Sequence, residues 1–593
     1  MKLIKPLIGL GAILALTAGS LSAAQAAEEA EPSVIRLATN MDQVDTLNPF
    51  TAVFNEAIIV LDYEYEPLAG IGPSGDYEGI LADDFSVDGT TWTYHIRDAA
   101  TWSDGEPVVA DDVVWTYESV MNDKALQVAN GESVGNIKQV TAEDEKTVTF
   151  ETNAPTPLHP GILPIVPKHV WEKIDNPAEY QNTEDVVGSG PFIIDKFNQG
   201  TSITLKANEH YWNGKPGVQG LDLIGFKNSD ASVLALRNGE IDMLGGLSSA
   251  QFDSLQSVDG LTTYQVTSDH FWNLQVNPGW TTASGEPFGT QNKVLEDQEF
   301  RQAIAQAIDS ETLVDRVVNG LGSTGPTIIP PGAPGGFFTE LEGKRRPQGT
   351  DEAIKSLEAA GYTTDADGKR LDKEGNPITL RLMFNGTNTQ NNATAEFITS
   401  WMRDLGITID SNSSNWDVMS PLITKGDYDM YVNGWGVGQD PDYQLSINVC
   451  STLPDTPGAS NSSQAGVCDP EYDKLFEAQH TELDPDARAG LIEDSLQRIY
   501  DWGTTNILYY DDSVGAYNSD RLDNLVEING DPYNRFSIAQ ATIKGADNGA
   551  SGDAGTAGSP WLIWTIVGVL AVLVIVVVIV LASRRKKTAD DRQ

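Results

Sequence analysis

The sequence predicts a multi-lobed α/β protein with an export leader at one end and a membrane-spanning helix at the other. Three observations predict it. The stretch between the two apolar ends, about Ala27 to Lys544, is too long for a single hydrophobic core and should divide into lobes. Within it, strand-like alternation is followed repeatedly by helical apolar spacing, as in Leu81–Tyr117. Lastly, the apolar runs at the two ends differ in length and in flanking charge.

The N-terminal run reads as an address. Lys2 and Lys5 precede an apolar stretch from Leu7 to Leu16, and Ala24-Gln25-Ala26 places small residues where a signal peptidase reads, with cleavage expected after Ala26. The stretch is too short to cross ~30 Å of hydrocarbon. The cleavage site lacks a cysteine, so no lipoprotein anchor is encoded. The run Trp561–Ala582 carries no charge. At 1.5 Å per residue it reaches about 33 Å, enough to span a bilayer. Arg584-Arg585-Lys586-Lys587 follows and predicts a cytoplasmic tail, residues 583–593, which leaves the bulk of the chain outside. Residues 545–560 are Gly, Ala, Ser and Asp in the main, a tether of roughly 22 Å r.m.s. reach.

The 593 residues include 85 acids against 38 bases, a net charge of −47. Such a balance repels nucleic acid and anionic lipid and keeps a secreted protein soluble. The six histidines are scattered, and no metal site is expected.

The stretch Leu81–Tyr117 is the most informative. Asp88-Gly89 is a hairpin turn signal, and Trp92, Tyr94 and Ile96 then alternate with Thr91, Thr93 and His95. Asp104-Gly105 makes a second turn. Ala110-Asp111-Asp112 opens a helix with acids in its first turn, and Val113, Val114 and Tyr117 share one face of it. The whole string, with both Asp-Gly turns, Arg97, Trp102 and Asp112-Val113 in register, resembles the extracellular solute-binding proteins of family 5. These serve ABC importers of oligopeptides, dipeptides and nickel. Further strings carry the resemblance: Leu47-Asn48-Pro49, Tyr65-Glu66-Pro67-Leu68, Ile165 to Val170, Gly188-Ser189-Gly190-Pro191, Asn208 to Pro216, Asn238-Gly239-Glu240, and Arg301-Gln302-Ala303-Ile304 through Asp309. Gly188 and Gly190 permit close approach to another chain segment. A phosphate loop is excluded there, since no Lys-Ser or Lys-Thr follows.

The resemblance implies a bilobed fold of the periplasmic-binding-protein type (type II, cluster C) with an extra third lobe, to which the sequence adds the C-terminal transmembrane helix. Lobe I is expected from residues 27–68, 186–275 and 505–544, lobe II from 69–185, and lobe III from 276–504. The cleft between lobes would hold the ligand. Trp435 is expected as a wall, and the backbone of Gly434 and Gly436 as a hydrogen-bonding edge that recognises a peptide without reading its side chains. Phe54 and Asn55 would approach from lobe I as a strand-edge segment. Relatives grip a ligand ammonium with an Asp three residues after the Trp. Here that position is Gly438, which leaves Asp440 as the candidate. Cys450 and Cys468 are the only cysteines, lie in an oxidising compartment, and match a bridge in dipeptide-binding relatives.

The expected function is therefore a membrane-tethered extracellular substrate-binding protein of an ABC importer, with a monomeric ectodomain. It would deliver oligopeptides to permease and ATPase subunits, without catalytic residues, cofactor or nucleic-acid partner. An uncharged solute such as an oligosaccharide, or ligand sensing without import, are the alternative readings.

Overall fold

In the computed structural model, which describes residues 33–72, 77–459 and 461–545, strand β1 (Val34–Thr39) comes first. Its burial alternates, with Ile35, Leu37 and Thr39 inside. Helix α1 (Asn55–Asp62) and a hairpin of β2 (Ala69–Ile71) and β3 (Tyr77–Gly79) lead to a separate sheet. Its strands are β4 (Ala82–Asp88), β5 (Thr91–Ile96), β6 (Ile137–Ala142) and β7 (Thr147–Thr152), antiparallel in the order β4-β5-β7-β6. Gly89 supplies the left-handed turn at φ 61°. Trp92, Tyr94 and Ile96 point inward as their spacing requires. Helix α2 (Ala110–Asn122) packs Val113 and Tyr117 into the same core. Asp112 accepts from the Trp102 indole at 3.2 Å and from the Lys168 amide at 2.9 Å. These bonds explain why Trp102 and Asp112 travel together in the sequence.

The chain leaves this second lobe beside the point where it entered. A Cβ on Gly188 or Gly190 would stand 2.3 Å from the Glu64 or Tyr63 carbonyl oxygen, so only glycine fits. The Gly190 amide donates to Glu64 O at 2.8 Å and the Phe192 amide to Tyr63 O at 3.0 Å. Glu66 is fully buried; its carboxylate accepts from Tyr211 Oη at 2.9 Å and Trp212 Nε1 at 2.5 Å. Burial pushes the Glu64 carboxyl well above the ordinary carboxylate range.

The first lobe continues through β8 (Phe192–Asn198), β9 (Ser202–Ala207), β10 (Gly220–Gly225), β11 (Met243–Leu244) and β12 (Leu261–Thr267). β1 runs parallel to β10 over its whole length. β13 (His270–Val276) then enters the third lobe. There β14 (Gly322–Ser323), β15 (Thr379–Asn385), helix α3 (Thr389–Asp404), β16 (Thr408–Ser414), β17 (Met430–Gly436), helix α4 (Asp442–Ser446), helix α5 (Pro470–Thr481) and helix α6 (Pro485–Trp502) follow. Strand β18 (Thr505–Asn518) returns. It pairs with β13 at Thr505–Tyr509, with β14 at Tyr510–Asp511 and with β12 at Asp512–Asn518, which joins both lobes in one twelve-stranded sheet. The helix Gln298–Gln306 buries Ile304 among the third lobe's core, beside Ala307 and Ile308. Cys450 and Cys468 are bridged, with Cα atoms 4.5 Å apart.

One element of the expected fold class is corrected. Among the described residues no helix is long and apolar enough to cross a membrane. The longest, α6, spans 18 residues and is amphipathic, with Arg488, Asp494, Arg498 and Asp501 along it. The run Trp561–Ala582 lies outside the described residues, as do the leader 1–26, the tether beyond Gly545 and the tail 583–593. The fold class of the described residues is the lobed α/β one, and no spanning helix is among them.

Two predictions follow from this packing. His159 stacks on Tyr77 with ring centroids 3.9 Å apart and is boxed by Phe85 and Trp92. Burial pushes its imidazole down to about 4. A histidine depressed on folding stabilises the native state above its ordinary range, and that stability is lost as pH falls from about 6.5 toward 4. His159→Phe is expected to flatten the fall of the urea midpoint over that window; an unchanged slope refutes the assignment. The double change Cys450→Ser with Cys468→Ser is expected to cost about 3 kcal/mol, as for loops of this length, by chemical denaturation.

Candidate ligand-binding site

Strands β15, β16 and β17 are mutually parallel, and their carboxyl ends lie at Asn385, Ser414 and Gly436. In open α/β sheets, ligands settle outside those ends. β17 has a second property. One edge pairs with β13 along all seven residues, Met430 to Gly436. The other edge meets β15 only at Met430 and Tyr431. From Val432 to Gly436 that edge has no strand partner among the described residues. A half-paired strand is a template for an added extended chain.

Of the two glycines here, Gly434 is dictated by space. A Cβ on Gly434 would lie 2.9 Å from His270 Cε1 and 3.1 Å from Trp272 Cε3. Gly436 faces open space. His270 Nδ1 lies 2.8 Å from Asp511 Oδ1, so the proton sits on Nδ1 and the ring is fixed over Gly434. Trp435 is half-buried against Phe271, Val437 and Leu445.

Asp440 is already engaged. Its Oδ1 and Oδ2 each accept from the Arg488 guanidinium at 2.7 Å, and Oδ1 also accepts from the Asp442 amide at 2.9 Å. Arg488 is 6% exposed and also lies 5.2 Å from the Phe337 ring centroid. Asp442 is likewise held, accepting from Gln479 Nε2 at 2.7 Å and from His480 Nδ1 at 2.9 Å. That bond raises the His480 imidazole above its usual value. The carboxylates of this segment are thus engaged from within the protein, and Asp440, the candidate for gripping an ammonium, already forms an ion pair with Arg488.

Gly434, Trp435 and Gly436 are brought together on β17 as their sequence proximity requires. Phe54 and Asn55 are exposed on the first lobe, at the carboxyl side of β1. They are not a strand edge: Phe54 caps α1 in extended conformation and Asn55 is its first residue. No hydrogen bond or ring contact among the described residues joins either to β17. Sequence reasoning missed His270 and Trp272, whose signal was present in the strand leading to Asn277 but names no role by itself. Among the described residues no group of three or more His, Cys, Asp or Glu side chains could hold a metal ion.

The Asp440–Arg488 pair carries a prediction. Arg488→Met is expected to destabilise the fold by about 2 kcal/mol, less than for a fully buried pair because Asp440 still reaches solvent. The check is the urea midpoint at constant m; a neutral effect refutes a structural role for the pair.

Comparison with known proteins agrees with this geometry. The family model "Bacterial extracellular solute-binding proteins, family 5 Middle" matches residues 76–454. The oligopeptide-binding protein OppA of Bacillus subtilis is 25% identical over 465 residues, covering 73% of this chain and 79% of that one. Among solved structures, the ABC transporter substrate-binding protein CtaP of Listeria monocytogenes superposes with a TM-score of 0.72 at 20% identity, covering 86% of this chain and 99% of that one. The oligopeptide-binding protein AppA of Bacillus subtilis, in complex with a nonapeptide, gives 0.63 at 20% identity, over 86% and 100%. The family match spans more than half of the chain, and with the lobed α/β architecture and the half-paired strand it has one meaning: the protein belongs to the bacterial extracellular solute-binding proteins of family 5.

Proposed function

We propose that this protein captures oligopeptides outside the cytoplasm for an ABC importer and hands them to its permease. The observation that carries the reading is the unpaired edge of Val432–Gly436. A peptide laid there as an added strand is held by backbone hydrogen bonds, so many sequences fit one site. Trp435 offers an aromatic face at low entropic cost. The disulfide supports an oxidising, extracytoplasmic location. The names of the OppA and AppA neighbours support a peptide ligand, and capture and release would follow from a hinge at the β13–β18 crossing.

Because Asp440 is sequestered by Arg488, the ligand's N-terminal ammonium is not gripped there. Free and N-acetylated forms of one peptide are therefore expected to bind within about threefold of each other by calorimetry. N-methylation of alternate backbone amides is expected to weaken binding at least about tenfold at the positions that donate to β17. Affinity indifferent to N-methylation at every position refutes strand addition.

A further inference from the structure

On the Trp435 face of the third-lobe sheet lies a group of carboxamides that nothing above uses. Asn273 and Gln275 project from β13 on this face, as Phe271 does opposite Trp435. Asn273 Nδ2 donates to Gln275 Oε1 at 3.0 Å, and Gln275 Nε2 donates to Gln464 O at 3.0 Å. The Gln464 amide donates to Ile447 O at 2.9 Å, and Asn448 Nδ2 to Gln444 O at 3.0 Å. The set is thus contiguous. Gln464 sits within the loop closed by Cys450–Cys468, and Gln444 and Asn448 lie just before it. Leu445 and Ala465, the chain neighbours of Gln444 and Gln464, belong to the cluster against which Trp435 packs.

These side chains are buried, at 0% exposure for Asn273, 2% for Gln444 and Asn448, and 7% for Gln464. Yet seven of their polar atoms, counted with the Trp435 indole, have no hydrogen-bond partner: Asn273 Oδ1, Trp435 Nε1, both amide ends of Gln444 and of Gln464, and Asn448 Oδ1. Buried polar groups of native proteins are nearly always paired, so such a concentration next to a ligand wall calls for an occupant. The free atoms include donors and acceptors on residues joined by these bonds. A ligand carboxylate brings no donor for the free oxygens, an ammonium no acceptor for the free N–H groups, and an aliphatic chain neither. The charged neighbours are already engaged, Asp440 by Arg488 and Asp442 by Gln479 and His480, so none of them is left unpaired for an ionic group.

We propose that Asn273, Gln444, Asn448 and Gln464 form a specificity subsite behind Trp435 that receives one carboxamide side chain, asparagine or glutamine, of the bound peptide. The proposal rests on the peptide reading given above.

The test uses the full chain and N-acetylated, C-amidated alanine pentapeptides in which one residue is Gln, Leu, Glu or Lys, placed at each position in turn, with affinities measured by calorimetry. At one position the Gln peptide is expected to bind at least about tenfold tighter than the Leu, Glu and Lys peptides, because a site built to hydrogen-bond rejects a ligand lacking the partner. Gln444→Met and Gln464→Met are each expected to reduce that ratio to within about twofold, with a cooperative thermal melt verifying the fold. Binding of all pentapeptides without a Gln preference in the wild type overturns the subsite and leaves the peptide reading standing. Failure of every pentapeptide to bind overturns the peptide reading and this proposal with it. A tenfold ratio that survives both substitutions also overturns the subsite.

Discussion

The antiparallel pairing of β13 with β18 is the constraint from which the rest of the molecule hangs. β18 is a fourteen-residue strand whose first half pairs with β13 and whose second half pairs with β12. Two lobes thereby share a single hydrogen-bond ladder, and the register of that ladder fixes where each lobe stands. β17 is added to β13 on its other side, so the position of Gly434 and Trp435 follows from the same register. At the crossing the backbone is tied by short polar links beside the packed side chains of Phe271, Tyr509 and Tyr510. Ser268 Oγ donates to Asp511 O at 2.5 Å and accepts from the His270 amide at 3.1 Å.

Local features of the fold were legible. The Asp88-Gly89 turn with Trp92, Tyr94 and Ile96 on one side gave a strand and its buried face, since period two is a property of the chain alone. The paired glycines at 188 and 190 indicated close approach, and the structure shows the carbonyls that demand it. Trp435 between two glycines falls at the half-paired end of β17. Long-range partnerships were not legible. Asp440 meets Arg488 forty-eight positions away, and no spacing rule links the residues after a strand to the first turns of a helix beyond two others. Asn55 was misjudged because its immediate sequence carries neither alternation nor a capping side chain, while the helix it opens is held by tertiary burial of Ala57, Val60 and Leu61. The buried carboxamides were visible as letters, but only the fold shows that residues from β13, α4 and the disulfide loop meet in one place.

The acidic balance of the chain takes on a particular meaning next to this site. With 85 acids and 38 bases, most carboxylates have no cationic partner available and stay in water. In the segment after Trp435 the pattern reverses: Arg488, itself almost wholly buried, is spent on Asp440, and Gln479 and His480 on Asp442. A strongly anionic protein thus ties up the carboxylates of this segment in internal hydrogen bonds instead of leaving them in solvent.

The seam between the first and second lobes is of another kind. The chain crosses it twice, at Tyr63–Glu66 and Gly188–Pro191, and the two crossings are bonded to each other through Gly190, Phe192 and the Ser189 hydroxyl, which accepts from the Glu66 amide at 3.0 Å. Glu64 and Glu66 are wholly enclosed, and prising the seam apart would strip Glu66 of the Tyr211 and Trp212 donors. In mechanical terms the joint is welded. Opening this seam would uncover two enclosed carboxyls and break each of these bonds at once, so displacement of the second lobe against the first is costly.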